Sequence, residues 1–469
     1  MFADASLVEA MRKVNAEEFL LPLLIQLTII IAAARLFAWL FRRIGQPAVV
    51  GEITAGLVLG PSVLGALAPG LFALLFRPAI GGLPSEASDL LLGRVLTSVA
   101  EIGLVLLLFL IGMEFEFDHL KRHGRSALGI SVAGILVPFG LGVGLGLLIH
   151  PHLAPDVPAL GFVLFMGTAM SITAIPVLGR IMMELGITRT GLAAVTIAAA
   201  AVGDAVGWVL LATVAALTRS AFDPLETASM VAATIGFGLF MLFAAQPLLS
   251  IFARRALAAG NGEVGIDSLT VLLVVLFLCA IVTNLIGIFA IFGAFLVGAA
   301  LSGEHEFREA VNRRLRDFVT CFFLPVFFAY TGLRTNVGTL ETWQLWLVAA
   351  AVTGVAIAGK FVGCAVAARV GGLPLRESAC VGVMMNTRGL MELVVINVGK
   401  DLGVIPDSVF CMLVLMAIVT TFMTTPLLVR LMRGTELESH VVASGFGWTR
   451  KGCAESNDTA RLQYLDRHL

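Results

Sequence analysis

Asp204 is the only charged residue between Arg189 and Arg219, and it stands midway along a 29-residue apolar run. A run of that length exceeds the about 20 helical residues that cross a bilayer. A carboxylate near the midplane costs roughly 2.5–3.5 kcal/mol on insertion scales, so its presence needs a reason. Two chemistries fit: a polar clamp between helices, or a site for an ion or a proton. Other embedded charges bear on the choice. Lys360 lies inside an apolar stretch after Gly359, while Arg388 and Glu392 are four residues apart and share one helical face.

Two further segments place polar atoms where lipid would not tolerate them. One reads Ser171-Ile-Thr173-Ala-Ile-Pro176 and the other Asn386-Thr387-Arg388-Gly389. Pro176 has no backbone N–H to donate, and Ser171 and Thr173 can re-satisfy the carbonyls it frees. Unwound backbone at membrane depth survives only inside protein or along a cavity. Two broken helices would aim half-helix dipoles at one central point beside Asp204. Lys360 and Arg388 then compensate either those dipoles or the charge of Asp204. Glu52 and Glu101 read as helix-packing or dipole partners, Arg35 as a side chain that snorkels to water. His119, His123, His150 and His152 fall at span ends and in loops.

The elements that must position these groups are membrane spans. Hydrophobic residues make up 58% of the 469 and charged residues 13%, with a mean hydropathy of +0.97, which excludes an ordinary soluble domain. The net charge of −1 says nothing about partners. Five of the six cysteines lie in apolar spans without a CxxC pair, so neither a disulfide nor zinc is indicated. Apolar runs predict spans near 18–40, 47–62, 96–114, 127–149, 158–183, 190–217, 227–252, 268–284, 286–303, 317–333, 342–368, 378–399 and 408–429. The uncharged stretch from Ser268 to Gly303 would be about 54 Å long as one helix, against a core of about 30 Å. It is therefore divided near Asn284–Gly287, giving thirteen spans. Twenty-one of the 31 lysines and arginines then fall on one side and seven on the other. This bias predicts residues 1–17 outside, a membrane domain over 18–430 and a cytoplasmic tail over 431–469, in the cell (inner) membrane. Residues 1–17 are polar and mixed in charge, unlike a cleavable signal peptide.

A weak internal repeat adds to this. Gly51-Glu-Ile-Thr-Ala-Gly56-Leu-Val-Leu59 and Gly293-Ala-Phe-Leu-Val-Gly298-Ala-Ala-Leu301 share a GxxxxGxxL pattern. The ends of spans 3 and 10, Gly112-Met113 and Gly332-Leu333, echo each other more faintly. An offset of seven spans implies two six-span halves of opposite orientation joined by span 7, a secondary-transporter architecture. The same glycine motifs also serve plain helix packing.

With these motifs in view, the chain resembles the second family of monovalent cation:proton antiporters, close to plant CHX-type and bacterial Kef-type exchangers. The segments that carry the likeness are 46–61, 102–114, 171–180, Gly293-Ala-Phe295 and 386–393, the last continuing to Val404. They extend over nearly all of 18–430. The resemblance implies the Na⁺/H⁺ antiporter fold, an all-α polytopic membrane protein with inverted six-helix repeats and two crossed discontinuous helices. It implies a homodimer in which spans 1–3 and 8–10 form a scaffold and spans 4–6 and 11–13 a mobile core. It assigns Asp204 as the site of Na⁺ or K⁺ and of H⁺, with Lys360 as the basic residue before the second broken helix. No cofactor, nucleic acid or catalytic residue is implied. Family members usually have Asp-Asp or Asn-Asp where this chain has Gly203-Asp204. Lys360 thus lacks that acidic partner and either faces Asp204 or is offset elsewhere. The tail is also too short for the nucleotide-binding regulatory domain of Kef-type carriers.

The expected function is exchange of Na⁺ or K⁺ for H⁺ by alternating access, serving pH homeostasis. Burial and neighbouring cations pull the proton equilibrium of a carboxylate in opposite directions. A proton and a dehydrated cation would compete at Asp204, with Thr173, Ser171 and backbone carbonyls as further oxygens. Arg388, Glu392 and Asn386 would balance charge or gate, and Pro176, Thr387 and Gly389 would hold the breaks. Three rivals differ in their requirements. A sodium-coupled symporter needs a polar substrate cavity, a channel needs a filter or acidic ring, and a membrane sensor needs a soluble output domain.

Overall fold

The computed structural model describes residues 16–78, 80, 85–114, 124–187, 190–219, 224–287, 290–433, 435 and 437–443. His119, His123 and most of the two expected terminal segments lie outside these residues. In chain order the helices are α1 (Ala16–Arg43), α2 (Ala48–Leu59), the short α3 (Leu64–Leu67) and α4 (Pro69–Phe76), and α5 (Ser85–Met113). Next come α6 (Gly124–Leu153), α7 (Ala159–Ser171), α8 (Ile175–Glu184) and α9 (Gly191–Arg219). A π turn (Met241–Ala245) joins α10 (Pro224–Phe240) to α11 (Gln246–Ala259). Then follow α12 (Ile266–Ile286), α13 (Ala290–Leu301) and α14 (His305–Phe318), which passes through a second π turn (Val319–Phe323) into α15 (Leu324–Leu333). The chain ends with α16 (Trp343–Val370), α17 (Leu375–Met385), α18 (Leu390–Asp401), α19 (Asp407–Leu431) and α20 (Leu437–Ala443).

Ten helical segments among the described residues are long and apolar enough to cross a membrane. The sequence count of thirteen also includes α13 and takes α7–α8 and α17–α18 as one crossing each. The uncharged stretch from Ser268 is divided: α12 closes at Ile286, where Gly287 takes a left-handed conformation (φ +99°) and donates its N–H to the Asn284 carbonyl. Only glycine adopts that backbone cheaply, so Gly287 ends the helix sharply.

Two local features differ from the sequence expectation. The charged segment before span 10 is not a loop but the amphipathic helix α14, which buries Phe307, Ala310 and Val311 on one face. Arg35 does not simply reach for water. Its Nη2 donates to the Thr320 carbonyl at 2.6 Å, inside the second π turn, and so supplies a donor where the helical ladder is irregular.

The helices pack in two sets. Helices α1, α2, α5, α12, α13 and α15 pack among themselves, as do α6, α7, α9, α16, α17 and α19. The sets meet where α18 touches α15 and where α19 touches α2. Close approach in the first set depends on glycine. A methyl group on Gly332 of α15 would lie 2.9 Å from the Gly56 Cα of α2, and one on Gly112 of α5 would lie 3.1 Å from the Gly298 Cα of α13. Lipid tails are as apolar as leucine, so such backbone-to-backbone contact is a main source of helix association in a membrane.

Candidate functional site: a crossing of two interrupted helices

Both suspected interruptions are breaks in the backbone. Helix α7 stops at Ser171, and Ile172 is extended (φ −78°, ψ 147°) before α8 begins. Pro176 is the second residue of α8, where an N–H would have no intrahelical acceptor. It therefore opens a helix rather than kinking one, and its side chain lies outside the described set. Helix α17 stops at Met385, and Asn386 to Gly389 link it to α18. The breaks touch each other. The Ala174 N–H donates to the Thr387 carbonyl at 3.1 Å, and Thr173 Oγ1 donates to the Met385 carbonyl at 3.3 Å. Gly389 lies close to the first break, since a methyl group there would lie 2.7 Å from Val177 Cγ2 and that side chain would have to shift.

The carbonyl end of α7 is where the buried cations go. Arg388 donates from Nη1 to the Ala169 carbonyl at 2.8 Å and from Nη2 to the Met170 carbonyl at 2.7 Å. Lys360 Nζ donates to the Ser171 carbonyl and, at 2.7 Å, to the Gly134 carbonyl of α6. Three successive carbonyls at the negative end of a helix dipole thus each receive a charged donor. Arg388 Nη1 also donates to Glu392 Oε2 at 2.6 Å, and the two side chains are 0% and 1% exposed. The break at Arg388 is held from α19: its N–H donates to Thr421 Oγ1 at 3.3 Å, and that hydroxyl donates to the Arg388 carbonyl. Thr387 and Thr424 pair through their hydroxyls at 3.5 Å.

Asp204 lies in α9, 3% exposed. This helix packs against α6, α7 and α17. Gly207, one turn further on, faces the first break, since a methyl group there would lie 3.1 Å from Ile172 Cγ1. Residues three apart share a helix face, so the turn that carries Asp204 is directed toward the crossing. Lys360 is within electrostatic reach of Asp204, Arg388 and Glu392. The position before Asp204 looks toward α6: a methyl group on Gly203 would lie 3.7 Å from Ser131 Oγ. Ser131 is fully buried, and its hydroxyl has no hydrogen-bond partner among the described residues.

Oxygen atoms collect around the crossing. Ser171 Oγ donates to the Thr168 carbonyl at 2.8 Å, which leaves its lone pairs available, as are those of Thr173. Asn386 is 2% exposed, and its Oδ1 has no donor among the described residues. Glu52 and Glu101 belong instead to α2 and α5, in the other helix set. Sequence reading passed over Ser131, Thr421 and Thr424. The run Thr420-Thr421-Phe-Met-Thr424-Thr425 was a legible signal, four hydroxyls inside an apolar span. Ser131 had none, because its meaning depends on Gly203 facing it.

The family description "Sodium/hydrogen exchanger, transmembrane" matches residues 30–433. The chain belongs to this family. Among the relatives of this chain, Cation/H(+) antiporter 17 of Arabidopsis thaliana is 39% identical over 416 residues, which is 88% of this chain and 49% of that protein. The Na(+)/H(+) antiporter NhaS4 of Synechocystis is 38% identical over 419 residues, 88% of this chain and 97% of the relative. The K(+)/H(+) antiporter 1 of Saccharomyces cerevisiae is 30% identical, and the match takes in 46% of its length. The chain thus spans about half the length of several relatives and nearly all of another. Its fold is similar to that of the sodium proton antiporter MjNhaP1 from Methanocaldococcus jannaschii, with a TM-score of 0.60 and 15% identity over 90% of this chain and 99% of that one. The fold is that of a Na⁺/H⁺ antiporter, a multi-pass membrane protein, and the family is one of transporters rather than enzymes.

Proposed function

We propose that this chain exchanges a monovalent cation, Na⁺ or K⁺, for H⁺ across the cell (inner) membrane, with the two competing for Asp204. The observation that carries the reading is a buried aspartate on a helix turned toward two broken helices, in a region that also buries two cations, Lys360 and Arg388, and one other carboxylate, Glu392. Lys360 and Arg388 offset the carbonyl end of α7, and Glu392 offsets Arg388. Occupancy of Asp204 then sets the charge balance of the crossing. A cation losing its water needs several oxygens, and the candidates are Asp204, the Ser171 and Thr173 hydroxyls and Asn386 Oδ1. A proton needs only the carboxylate, so one excludes the other.

The scaffold of this reading is α1–α5 with α12–α15, and the moving core is α6–α9 with α16–α19, joined by α10–α11. The narrow contact between the two sets supports relative motion. The pairing of Gly56 with Gly332 and of Gly298 with Gly112 supports an inverted repeat, because each glycine motif meets the end of the span that its counterpart precedes. Thirteen crossings, an outside N-terminus, a cytoplasmic C-terminus and a homodimer complete the proposal.

The test is proton flux in liposomes holding purified protein. Adding Na⁺ or K⁺ should dissipate an imposed pH gradient, and Asp204→Asn should abolish the response at equal protein content. Exchange retained by the variant would sink the assignment. Flux without opposing H⁺ movement would point to a channel.

A further inference from the structure

The boundary between the two helix sets is open at one end of α2 and tied at the other, about 18 Å away along the helix. At the start of α2, a cavity of about 430 Å³ separates the α1–α2 loop, Gly45 and Gln46, from Thr425, Leu427 and Arg430 of α19. Thr425 is one turn beyond Thr421, whose hydroxyl braces the break at Arg388, so the cavity reaches to within a turn of the crossing. At the far end of α2, a methyl group on Gly60 would lie 3.2 Å from Leu333 Cα. There α15 and α18 are joined by side chains. Arg334, just past α15, donates from Nη2 to Asp401 Oδ1 at 2.7 Å and from Nη1 to Asn397 Oδ1 at 3.3 Å. Asn397 Nδ2 donates back to Thr331 Oγ1 at 3.0 Å and, within α18, to the Leu393 carbonyl at 2.8 Å. Both polar atoms of this 9% exposed residue are therefore engaged. Each side of the contact is fixed to its own set. Ser62 Oγ, after α2, donates to the Thr335 carbonyl at 2.8 Å and accepts from the Val337 N–H at 2.9 Å. Lys400 pairs with Asp407 of α19 at 2.9 Å. Glu101 of α5 is within electrostatic reach of Arg334 and Asp401, but it belongs to the same set as Arg334 and ties nothing across the boundary.

We propose that Arg334 is a gating residue, whose clasp on Asn397 and Asp401 shuts the end of the boundary opposite the cavity and whose release exposes the crossing there. Asn397 and Asp401 are four apart and share a face of α18, and the planar fork of arginine holds both at once. The contact is also of a kind that can be broken in every cycle. The side chains of Arg334 and Asp401 are 20% and 39% exposed, so water already reaches both and replaces the pair when the sets part. The inaccessible pair Arg388–Glu392 has no such alternative and stays within one set. Arg334 meets no transported ion in this scheme. It is a positioning residue that sets which end of the boundary is open. Its part in transport rests on the exchange reading above, but the closure itself does not.

Labelling of introduced cysteines with a water-soluble thiol reagent, read peptide by peptide on the full chain in detergent, tests the clasp without any transport measurement. Val394 is 1% exposed and lies one turn nearer the break on the Asn397 face of α18, while Leu427 lines the cavity. Arg334→Gln should raise labelling of Val394→Cys about tenfold and lower that of Leu427→Cys by a similar factor, as the population moves from one opening to the other. Asp401→Asn should act in the same direction. Arg334→Gln with Asp401→Asn should do no more than Arg334→Gln alone, because one contact is lost only once. Glu101→Gln should change neither position by more than about twofold. Unchanged labelling of Val394→Cys, a rise at both positions, additive effects of Arg334 and Asp401, or an equal response to Glu101→Gln would each overturn the proposal. Shifted labelling in a chain that shows no exchange in liposomes would sink the exchange reading and leave the clasp standing.

Discussion

Removing Glu392 alone should harm the protein more than removing Glu392 and Arg388 together harms it per group lost. Both side chains are essentially inaccessible, and the guanidinium has three acceptors: Glu392 Oε2 at 2.6 Å, the Ala169 carbonyl at 2.8 Å and the Met170 carbonyl at 2.7 Å. Glu392→Leu leaves a buried guanidinium without its counter-charge, a change that costs about 3–5 kcal/mol. Arg388→Met strands the carboxylate at a similar cost and also deprives two helix-end carbonyls, at about 1–3 kcal/mol each. The double variant leaves only the two carbonyls, so about 2–6 kcal/mol is lost where the singles sum to roughly 8–16 kcal/mol. A strong positive coupling is therefore expected in the double-mutant cycle. Melting of the purified protein in detergent, with the folded fraction followed by size exclusion, ranks the four proteins. Additive losses would refute the account, because they would mean that Arg388 and Glu392 are stabilised independently.

Two glycines in similar helices should respond oppositely. Gly203→Ala meets only Ser131 Oγ, at 3.7 Å, and gains helix propensity of about 1 kcal/mol, so melting should hold or rise. Gly298→Ala places its methyl group against the Phe109 carbonyl and 3.0 Å from the Gly112 carbonyl carbon, forcing α5 and α13 apart at about 1–3 kcal/mol. Equal melting of the two variants would remove the case for close packing. Lys360→Met keeps the length of the side chain but strands the Ser171 and Gly134 carbonyls, which should lower melting by about 1–3 kcal/mol per carbonyl left unpaired. No loss would show that the ammonium is not holding the end of α7.

Some of this was legible in the residues and some was not. Charge placement exposed the long spans, and Ser171-Ile-Thr-Ala-Ile-Pro176 and Asn386-Thr-Arg-Gly389 marked the breaks within a few residues. Those signals are local, because proline, glycine and polar side chains act on the backbone that bears them. The destination of Lys360 was not legible. Gly203 left two arrangements open, and the lysine meets the α6 and α7 carbonyls while remaining within reach of Asp204. Backbone acceptors carry no sequence signature. The π turns at 241–245 and 319–323 were equally hidden, since nothing in Met-Leu-Phe-Ala-Ala or Val-Thr-Cys-Phe-Phe forbids an ordinary helix. Helix α14 was available from the spacing of Phe307, Ala310 and Val311 and was obscured only by its charge.

The glycine pairing also bears on how the chain is built. Helix α2 packs on α15, and α5 packs on α13, so the first set is assembled from partners made early and late in synthesis. When α2 and α5 enter the bilayer, their glycine faces have no partner and lie against lipid until the second half follows. Insertion and packing are therefore separate events, and the early helices must wait as individually stable spans. The interleaving also means that the first half alone cannot complete its glycine seams. A ribosome that stops after α9 leaves a membrane-embedded intermediate with open seams, and closure depends on the arrival of the last helices.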